Sequence, residues 1–326
     1  MSKELTISTR GIEMPESPIR KLAPLAYKAE DEGVKIYRLN IGQPDLPTPQ
    51  KALDALSDIA AKNVDGSIGS PQGRTTLEYS PSQGYRSLRK ALVNYYERYQ
   101  IKLSADDIII TCGGSEAVLF SFMSCLNPGD EIIVPEPAYA NYMSFAISAG
   151  AVIRTVTTTI EEGFCLPKVE KFEELINERT KAVLICNPNN PTGYLYTQKE
   201  MNQIRDLVKK YNLYLFSDEV YREFIYTGSL YISAMHLDGI EQNVILIDSV
   251  SKRYSECGIR IGALITKNEA VRKTVMKLCQ ARLSPPLIGQ IVAEASIEGT
   301  ESYSREVYEE YLERRKTLID GVNRIP

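Results

Sequence analysis

The feature that most constrains the fold of this chain is an alternation of short apolar runs with amphipathic helical segments. Apolar runs occupy residues 107–111, 131–134, 181–186, 213–216, 244–247 and 262–266, and helical patterns occupy about 115–126, the residues up to about 149, 198–211 and 300–322. This alternation is typical of a mostly parallel sheet whose faces are covered by helices. The sequence therefore predicts an α/β fold, preceded by a proline-rich extended arm, residues 1–45, with one short helix.

Charge and length favour a protein that acts on small molecules. The chain has 326 residues, enough for one large domain or two unequal ones, and a formal net charge of −4. Acidic and basic residues are interspersed, so we expect no nucleic acid partner and no binding to an anionic membrane. The N-terminus does not resemble a signal peptide, and no apolar run approaches the ~18 residues that a membrane span needs. We therefore expect a cytoplasmic protein.

The histidine and cysteine content limits the chemistry further. His236 is the only histidine, which excludes a metal site with several histidines and leaves one residue for any serine–histidine–aspartate triad. We expect no bound metal and an acid–base group of another residue type. The six cysteines lie far apart without a CxxC pair, and we predict that most of them are buried free thiols.

In such sheets, ligands bind where loops leave the carboxyl ends of the strands. The first two of these loops carry glycines and a tyrosine. Gly113, Gly114 and Ser115 precede a predicted helix, where backbone amides and the helix N-terminus suit a phosphate. A plain strand-to-helix turn capped by the serine explains the same residues. Tyr139 begins the next helix, and it either stacks on a planar ligand or packs onto the protein.

The third and fourth loops carry an amide, a carboxylate and a phenol. Residues 186–193 read CNPNNPTG, a rigid turn whose Asn190 is suited to donate to a phenolate-like oxygen. Asp218 ends the fourth apolar segment, and Tyr221 follows three residues later. A carboxylate at a buried strand end is costly without a cation, so Asp218 either holds a positively charged ring nitrogen or caps a helix.

The fifth loop reads DSVSKRYSECGIR. Ser249 and Ser251 precede Lys252, and Arg260 lies eight residues beyond it. Hydroxyls and a guanidinium suit a phosphate dianion. Partial burial beside a cation lowers the pKa of a lysine from ~10.4, as an amine that attacks a carbonyl requires. A solvated loop lysine is the ordinary alternative, but unusual polar residues in five loops at one edge favour a shared site.

Together, these motifs resemble those of the fold type I pyridoxal phosphate enzymes, specifically the class I aminotransferases that include aspartate and aromatic aminotransferases. The similarity also covers NIGQPDLPTP at 40–49 and YSPSQGYRSLRKAL at 79–92. It implies an arm and the start of a small domain at 1–45, a large cofactor-binding domain at 46–295, and a linking helix with a truncated small domain at 296–326. Family members continue beyond this point and carry the arginine for the substrate α-carboxylate there, which implies that the small domain is incomplete.

The resemblance also implies roles for single residues. Lys252 matches the lysine that binds pyridoxal phosphate covalently and later moves the substrate α-proton, and Asp218 matches the carboxylate that pairs with the ring nitrogen. Tyr221 and Asn190 match the pair that hydrogen-bonds the phenolic oxygen of the ring. The remaining matches are Gly114, Ser115, Ser249, Ser251 and Arg260 around the phosphate, Tyr139 on the ring, Tyr79 reaching the phosphate of the other subunit of a homodimer, and Gly42 lining the substrate pocket.

The implied reaction moves an amino group from an L-amino acid to a 2-oxo acid with ping-pong kinetics, and L-aspartate with 2-oxoglutarate is the leading pair. Arg282 is predicted either to reach the active site of the partner subunit and favour a dicarboxylate, or to end a surface helix. The alternatives are a C–S β-lyase of the same fold, a fragment that binds the cofactor without transaminating, and a cofactor-sensing regulator. We expect the regulator least, because the sequence has no basic DNA-binding domain ahead of this fold.

Overall fold

The computed structural model describes residues 5–65, 77–299 and 301–325. The strands are β1 (Ile108–Thr111), β2 (Glu131–Glu136), β3 (Val152–Thr157), β4 (Thr180–Cys186), β5 (Tyr214–Asp218), β6 (Val244–Ser249) and β7 (Gly262–Ile265). The α-helices are α1 (Thr9–Glu13), α2 (Ala23–Asp31), α3 (Gln50–Asp65), α4 (Arg86–Glu97), α5 (Gly114–Cys125), α6 (Asn141–Ala149), α7 (Val169–Glu173), α8 (Gln198–Tyr211), α9 (Val250–Arg253), α10 (Glu269–Arg282), α11 (Leu287–Glu298) and α12 (Glu301–Val322). Short 3₁₀ helices lie at Ala105–Asp107, Ala234–His236 and Cys257–Ile259.

The strands form one mixed sheet in the order β1-β7-β6-β5-β4-β2-β3. Neighbouring strands are parallel from β6 to β3, and β7 is antiparallel to both β6 and β1. β1 therefore runs in the same direction as β6, so the carboxyl ends of β1, β2, β4, β5 and β6 lie at one edge. This confirms the predicted α/β fold and brings the five loops singled out in the sequence to that edge.

Helices cover both faces of the sheet and bury its apolar strands. α5, α6 and α10 pack on one face, α7 and α8 pack on the other, and α4 and α11 cover the end of the sheet near β1 and β7. α4 shows why such helices form, because its buried residues Leu88, Ala91, Leu92, Tyr95 and Tyr96 recur at helical spacing. This face of α4 packs next to the strand that leads to Lys252.

The predicted strands are confirmed to within about two residues at either end, but the sequence pattern does not predict β3. β3 is an edge strand in which only Val156 is buried, so it lacks a continuous apolar run. The N-terminal arm contains two helices, α1 and α2, where the sequence predicted one. Neither has a buried residue, so neither shows a periodic apolar signal.

Two further predictions concern the cysteines and the membrane. All six cysteines are free, as predicted, but only Cys186 and Cys279 are buried and the other four are half-buried, so the prediction that most are buried was wrong. No helix in the described ranges has the length and apolar composition needed to cross a bilayer. The division into an arm, a large domain and a small domain stays a prediction.

Candidate functional site

Lys252 lies on a four-residue helix, α9, that follows directly on β6. The Ser249 hydroxyl caps this helix by accepting from the backbone N–H of Ser251, and the two serine hydroxyl oxygens are 2.7 Å apart. The Lys252 ammonium donates to the carbonyl oxygen of Gly42 over 2.7 Å. Burial lowers the pKa of Lys252, and the charge of Arg260 acts in the same direction. The lysine is thus directed across the sheet edge towards the N-terminal arm.

A second group of residues forms a pocket of backbone amides, hydroxyls and a guanidinium. α5 begins at Gly114, and its N-cap Gly113 has φ +79° and offers no capping side chain to the first amides. Arg260 donates to the carbonyl oxygens of Cys257 (2.9 Å) and Cys112 (3.3 Å). A Cβ at Gly113 would lie 2.5 Å from a guanidinium nitrogen of Arg260, so only glycine permits this approach.

The serines adjoin this pocket because the end of β6 lies against the start of α5. A Cβ at Gly114 would lie 3.7 Å from the Cβ of Ser249, and Ser115 lies in the same first helical turn. Gly262, the first residue of β7, makes the packing possible, since a Cβ there would lie 2.4 Å from the carbonyl carbon of Gly113. Free amides at a helix N-terminus, hydroxyls and a guanidinium together suit a phosphate.

On the other side of Lys252, Asp218 ends β5 as a buried carboxylate. It is 7% exposed and accepts from the hydroxyl of Tyr142 over 2.7 Å and from the backbone N–H of Val220 over 3.3 Å. Burial raises the pKa of Asp218 to about 6. Tyr142 is in turn in edge contact with Tyr139, whose hydroxyl accepts from Asn141.

Asn190 and Tyr221 meet beside this carboxylate although they belong to different loops. The Asn190 amide donates to the Tyr221 hydroxyl over 3.2 Å. Asn190 follows β4, and Tyr221 follows β5, which pairs with β4 in parallel. The pair of an amide and a phenol that the sequence predicted is therefore assembled by the sheet.

The charge state of Asp218 tests whether pyridoxal phosphate fits this site. Within residues 5–65, 77–299 and 301–325, Asp218 has no ion-pair partner, although a buried carboxylate is costly without one. The protonated ring nitrogen of pyridoxal phosphate is such a partner, and its phosphate matches the pocket at Gly114 and Ser249. The residues present therefore fit the cofactor at both of its charged ends.

Two predicted residues lie outside this arrangement. Tyr79 is 79% exposed. Arg282 ends α10, pairs with Glu116 over 2.5 Å, and donates to the carbonyl oxygen of Ser82 over 2.8 Å. Its predicted action on a substrate bound to the partner subunit stays a prediction.

Sequence reasoning missed Tyr142 and Gly262. Tyr142 lies just inside α6, three residues after Tyr139, so its proximity in the sequence to a candidate site residue was a usable signal. Gly262 gave no such signal, because its role depends on the approach of two loops that are distant in the sequence. No cluster of three or more potential metal-ligating side chains occurs in the part of the chain that the structure describes.

Comparisons with known proteins agree with this site. The model of the family "Aminotransferase class I and II" matches residues 34–325. The aspartate aminotransferase of Pyrococcus horikoshii is 31% identical, over 98% of this chain and 78% of its own length. The (5-formylfuran-3-yl)methyl phosphate transaminase of Methanocaldococcus jannaschii is also 31% identical, over 97% of this chain and 79% of its own length. The structure of aspartate aminotransferase from Thermotoga maritima matches with a TM-score of 0.86 and 29% identity, over 96% of this chain and 80% of that one.

The chain therefore belongs to the class I and II aminotransferases. It is a transaminase whose cofactor is pyridoxal phosphate, which confirms the family, the enzyme class and the cofactor predicted from the sequence. The role of each residue is not tested by the comparisons.

Proposed function

We propose that Lys252 is the cofactor-binding lysine of an L-aspartate:2-oxoglutarate aminotransferase. The observation that carries the proposal is the convergence of Lys252, the unpaired buried Asp218 and the phosphate pocket on one sheet edge. Asp218 is suited to pair with the ring nitrogen, and Gly113, Gly114, Ser115, Ser249, Ser251 and Arg260 to hold the phosphate.

Lys252 has the surroundings that an amine needs for proton transfer. Its lowered pKa increases the neutral fraction at a given pH, and only the neutral amine can attack a carbonyl or take a proton. Bound pyridoxal phosphate supplies an aldehyde that reacts with amines and a ring that accepts the electron pair left by the α-proton. With the cofactor bound, the Lys252 amine would take that proton from the substrate and return it. In the structure this amine donates to the carbonyl oxygen of Gly42.

The other residues orient the ring and polarise it. The anion of Asp218 favours the protonated ring nitrogen, and the Tyr221 hydroxyl, oriented by Asn190, is suited to donate to the phenolic oxygen. Tyr139 is half-buried next to Tyr142 and provides an aromatic face for stacking.

The choice of aspartate follows from the names of relatives. Several similar proteins are aspartate aminotransferases, including that of Pyrococcus horikoshii. A similar transaminase with another substrate has the same identity to this chain, so aspartate must be tested directly. We further propose Gly42 and Asn190 as substrate-pocket residues, and Arg282 as the residue that could favour a dicarboxylate.

We also propose a cytoplasmic homodimer with shared active sites. Tyr79 is exposed in the isolated chain, as a residue that acts on a neighbouring subunit would be. The N-terminal arm supports the same proposal, because Leu5, Ile7 and Leu39 are at least 76% exposed and an interface would cover such side chains.

An absorbance spectrum tests the proposal. Purified protein is mixed with pyridoxal phosphate, and Lys252→Ala is compared with Lys277→Ala, which changes an exposed lysine on α10. We expect a visible cofactor band that needs Lys252 but not Lys277, that decreases with L-aspartate and that returns with 2-oxoglutarate.

Each other outcome has a defined meaning. A band unchanged in Lys252→Ala would reject Lys252 as the cofactor-binding residue. A band that responds to another amino acid but not to aspartate would reject the substrate and keep the site. Pyruvate and ammonia formed without an oxo acid acceptor would indicate the lyase.

A further inference from the structure

Two proposed active-site residues are each followed in the sequence by a buried arginine. Arg222 follows Tyr221, and Arg253 follows Lys252. Both guanidiniums meet on the carboxylate of Asp248, the residue directly before Ser249. Their side chains are at most 1% exposed, in contrast to the half-buried Tyr221 and Lys252.

The contacts of Asp248 connect three segments of the site. Arg253 binds it with two hydrogen bonds of 2.8 and 2.9 Å, and Arg222 approaches to 3.4 Å. The backbone N–H of Ser249 donates to the same carboxylate over 2.8 Å, and the Tyr96 hydroxyl donates over 2.7 Å. One carboxylate is thus bonded to the direct neighbours of Tyr221 and Lys252 and to Ser249 itself.

Aromatic rings on and near α4 pack against the guanidiniums of the two arginines. Arg222 lies 4.7 to 5.9 Å from the ring centroids of Tyr95, Tyr96, Tyr99 and Tyr231. Arg253 lies 4.4 Å from the centroid of Tyr95. These rings are packed in the interior, so the cations have little freedom to move.

Burial of this group is costly, which suggests a purpose beyond stability. The Nε atoms of Arg222 and Arg253 have no hydrogen-bond partner among the described residues. Apolar side chains of similar volume often stabilise a core as well as buried ion pairs do. Apolar side chains, however, form no directional bonds, so they cannot fix the orientation of two neighbouring turns.

The turn that carries Lys252 needs such fixing. α9 has four residues, too few for its own hydrogen bonds to hold it firmly. Arg253 fastens the last residue of α9 to Asp248 at the end of β6, so Lys252 is held from the adjacent position. A displacement of a reacting group by about 1 Å can lower a rate about 100-fold.

We propose that Arg222, Asp248 and Arg253 form a positioning network that sets the relative placement of Tyr221, Ser249 and Lys252. The inference rests on the proposed function, because it takes Lys252 and Tyr221 as cofactor residues. None of the three network residues is assigned a contact with the cofactor or the substrate.

The test compares Arg253→Lys with a matched control, Glu131→Gln. Arg253→Lys keeps the charge but loses the two-pronged contact with Asp248. Glu131 is a buried carboxylate between Arg154 and Arg179 at the opposite end of the sheet, so its variant also disturbs a buried ion pair. The readouts are kcat, the KM for the amino acid, and the visible circular dichroism of the loaded protein per unit of absorbance.

The dichroism per unit of absorbance distinguishes positioning from stability. A variant that only loses occupancy lowers both signals equally, so the ratio stays constant. We expect Arg253→Lys to lower the ratio and to lower kcat about 100-fold with little change in KM. Glu131→Gln should leave the ratio and kcat at wild-type values.

Tyr96→Phe provides a milder variant in case Arg253→Lys does not fold. It removes only the hydroxyl that donates to Asp248 and accepts from Arg222, and it keeps the ring. A lowered ratio in either variant supports the network. Wild-type ratios and kcat values in every folded network variant would overturn it.

Failure of the proposed function would look different. If wild-type protein shows no cofactor band that depends on Lys252, the proposed function fails. If the band depends on Lys252 and the network variants resemble Glu131→Gln, only the positioning network is rejected.

Discussion

Asp218 and Asp248 are two aspartates at the same sheet edge with opposite electrostatic surroundings. Asp218 ends β5, Asp248 is the penultimate residue of the adjacent strand β6, and they are 7% and 1% exposed. Burial raises the pKa of Asp218 to about 6, and no ion pair within the described residues offsets this effect. Burial acts on Asp248 as well, but Arg222 and Arg253 hold its pKa well below its ordinary value. The extent of burial alone therefore does not determine whether a buried carboxylate is ionised.

The two aspartates differ in the source of their cationic partners. The fold supplies those of Asp248, and a ligand would supply that of Asp218. Asp248 has both partners within its own chain, so it is ionised whether or not a ligand is bound. Asp218 accepts from one hydroxyl and one amide, and a cation that enters the site would favour its charged form. In the proposed function, that cation is the ring nitrogen of the cofactor.

The largest effect is expected for Asp218→Asn with saturating pyridoxal phosphate. Removal of the anion opposite the ring nitrogen should lower kcat by about 100-fold or more, since one electrostatic contact in a closed site has that magnitude. Steady-state transamination measures it, with the exposed Asp238→Asn as the control. Equal kcat values for the two variants would remove Asp218 from the site.

The second effect concerns stability and should appear at Asp248. Asp248→Asn removes the carboxylate that Arg253 binds with two hydrogen bonds and leaves Arg222 paired with Glu219 alone, so we expect the apoprotein to lose about 3–5 kcal/mol of unfolding free energy. Urea unfolding at neutral pH measures this loss. A loss as small as that of an exposed aspartate variant would show that the ion pairs of Asp248 are energetically unimportant.

The third effect is a pH dependence that belongs to Asp218 alone. Its pKa is raised in the folded apoprotein, so its contribution to stability is fully present below the unfolded pKa of about 3.9 and is lost as the pH rises through about 6. The unfolding free energy of the wild type, relative to Asp218→Asn, should fall by about 2 kcal/mol between pH 4 and pH 7.

Paired unfolding experiments at several pH values measure this relative fall, and groups common to both proteins cancel. Saturating pyridoxal phosphate should remove the fall, because it supplies the missing cation. A difference that is independent of pH in the apoprotein would mean that Asp218 already has a partner.

The smallest effect is expected for Arg282→Ala. Arg282 pairs with Glu116 in its own chain, but Glu116 also accepts from the backbone N–H of Cys112, so it keeps one partner. Because we propose that Arg282 favours a dicarboxylate, we expect kcat/KM to fall for aspartate by less than about tenfold and to change less for phenylalanine. Equal changes for the two substrates would reject the dicarboxylate role.

Much of the site was predictable, because its residues follow apolar strands in a regular order. Asp218 ends a buried strand, Asn190 and Lys252 follow other buried strands, and parallel strands bring their carboxyl ends to one edge. Tyr142 and Gly262 were not predicted. Tyr142 gains its role from a hydrogen bond to a residue on another strand, and Gly262 from the close approach of two loops.

The sequence by itself determined the fold class, six of the seven strands that the structure describes, and most of the residues that gather at the sheet edge. Apolar periodicity is a local property, so it can be read without knowing what packs against each segment. Only the tertiary structure decided which charges are partnered. Arg222 and Arg253 stand next to proposed active-site residues in the sequence, yet both face inward to Asp248, while Asp218 forms no ion pair among the described residues. Which carboxylate a guanidinium meets depends on the packing of strands and of α4, and no local pattern encodes that packing.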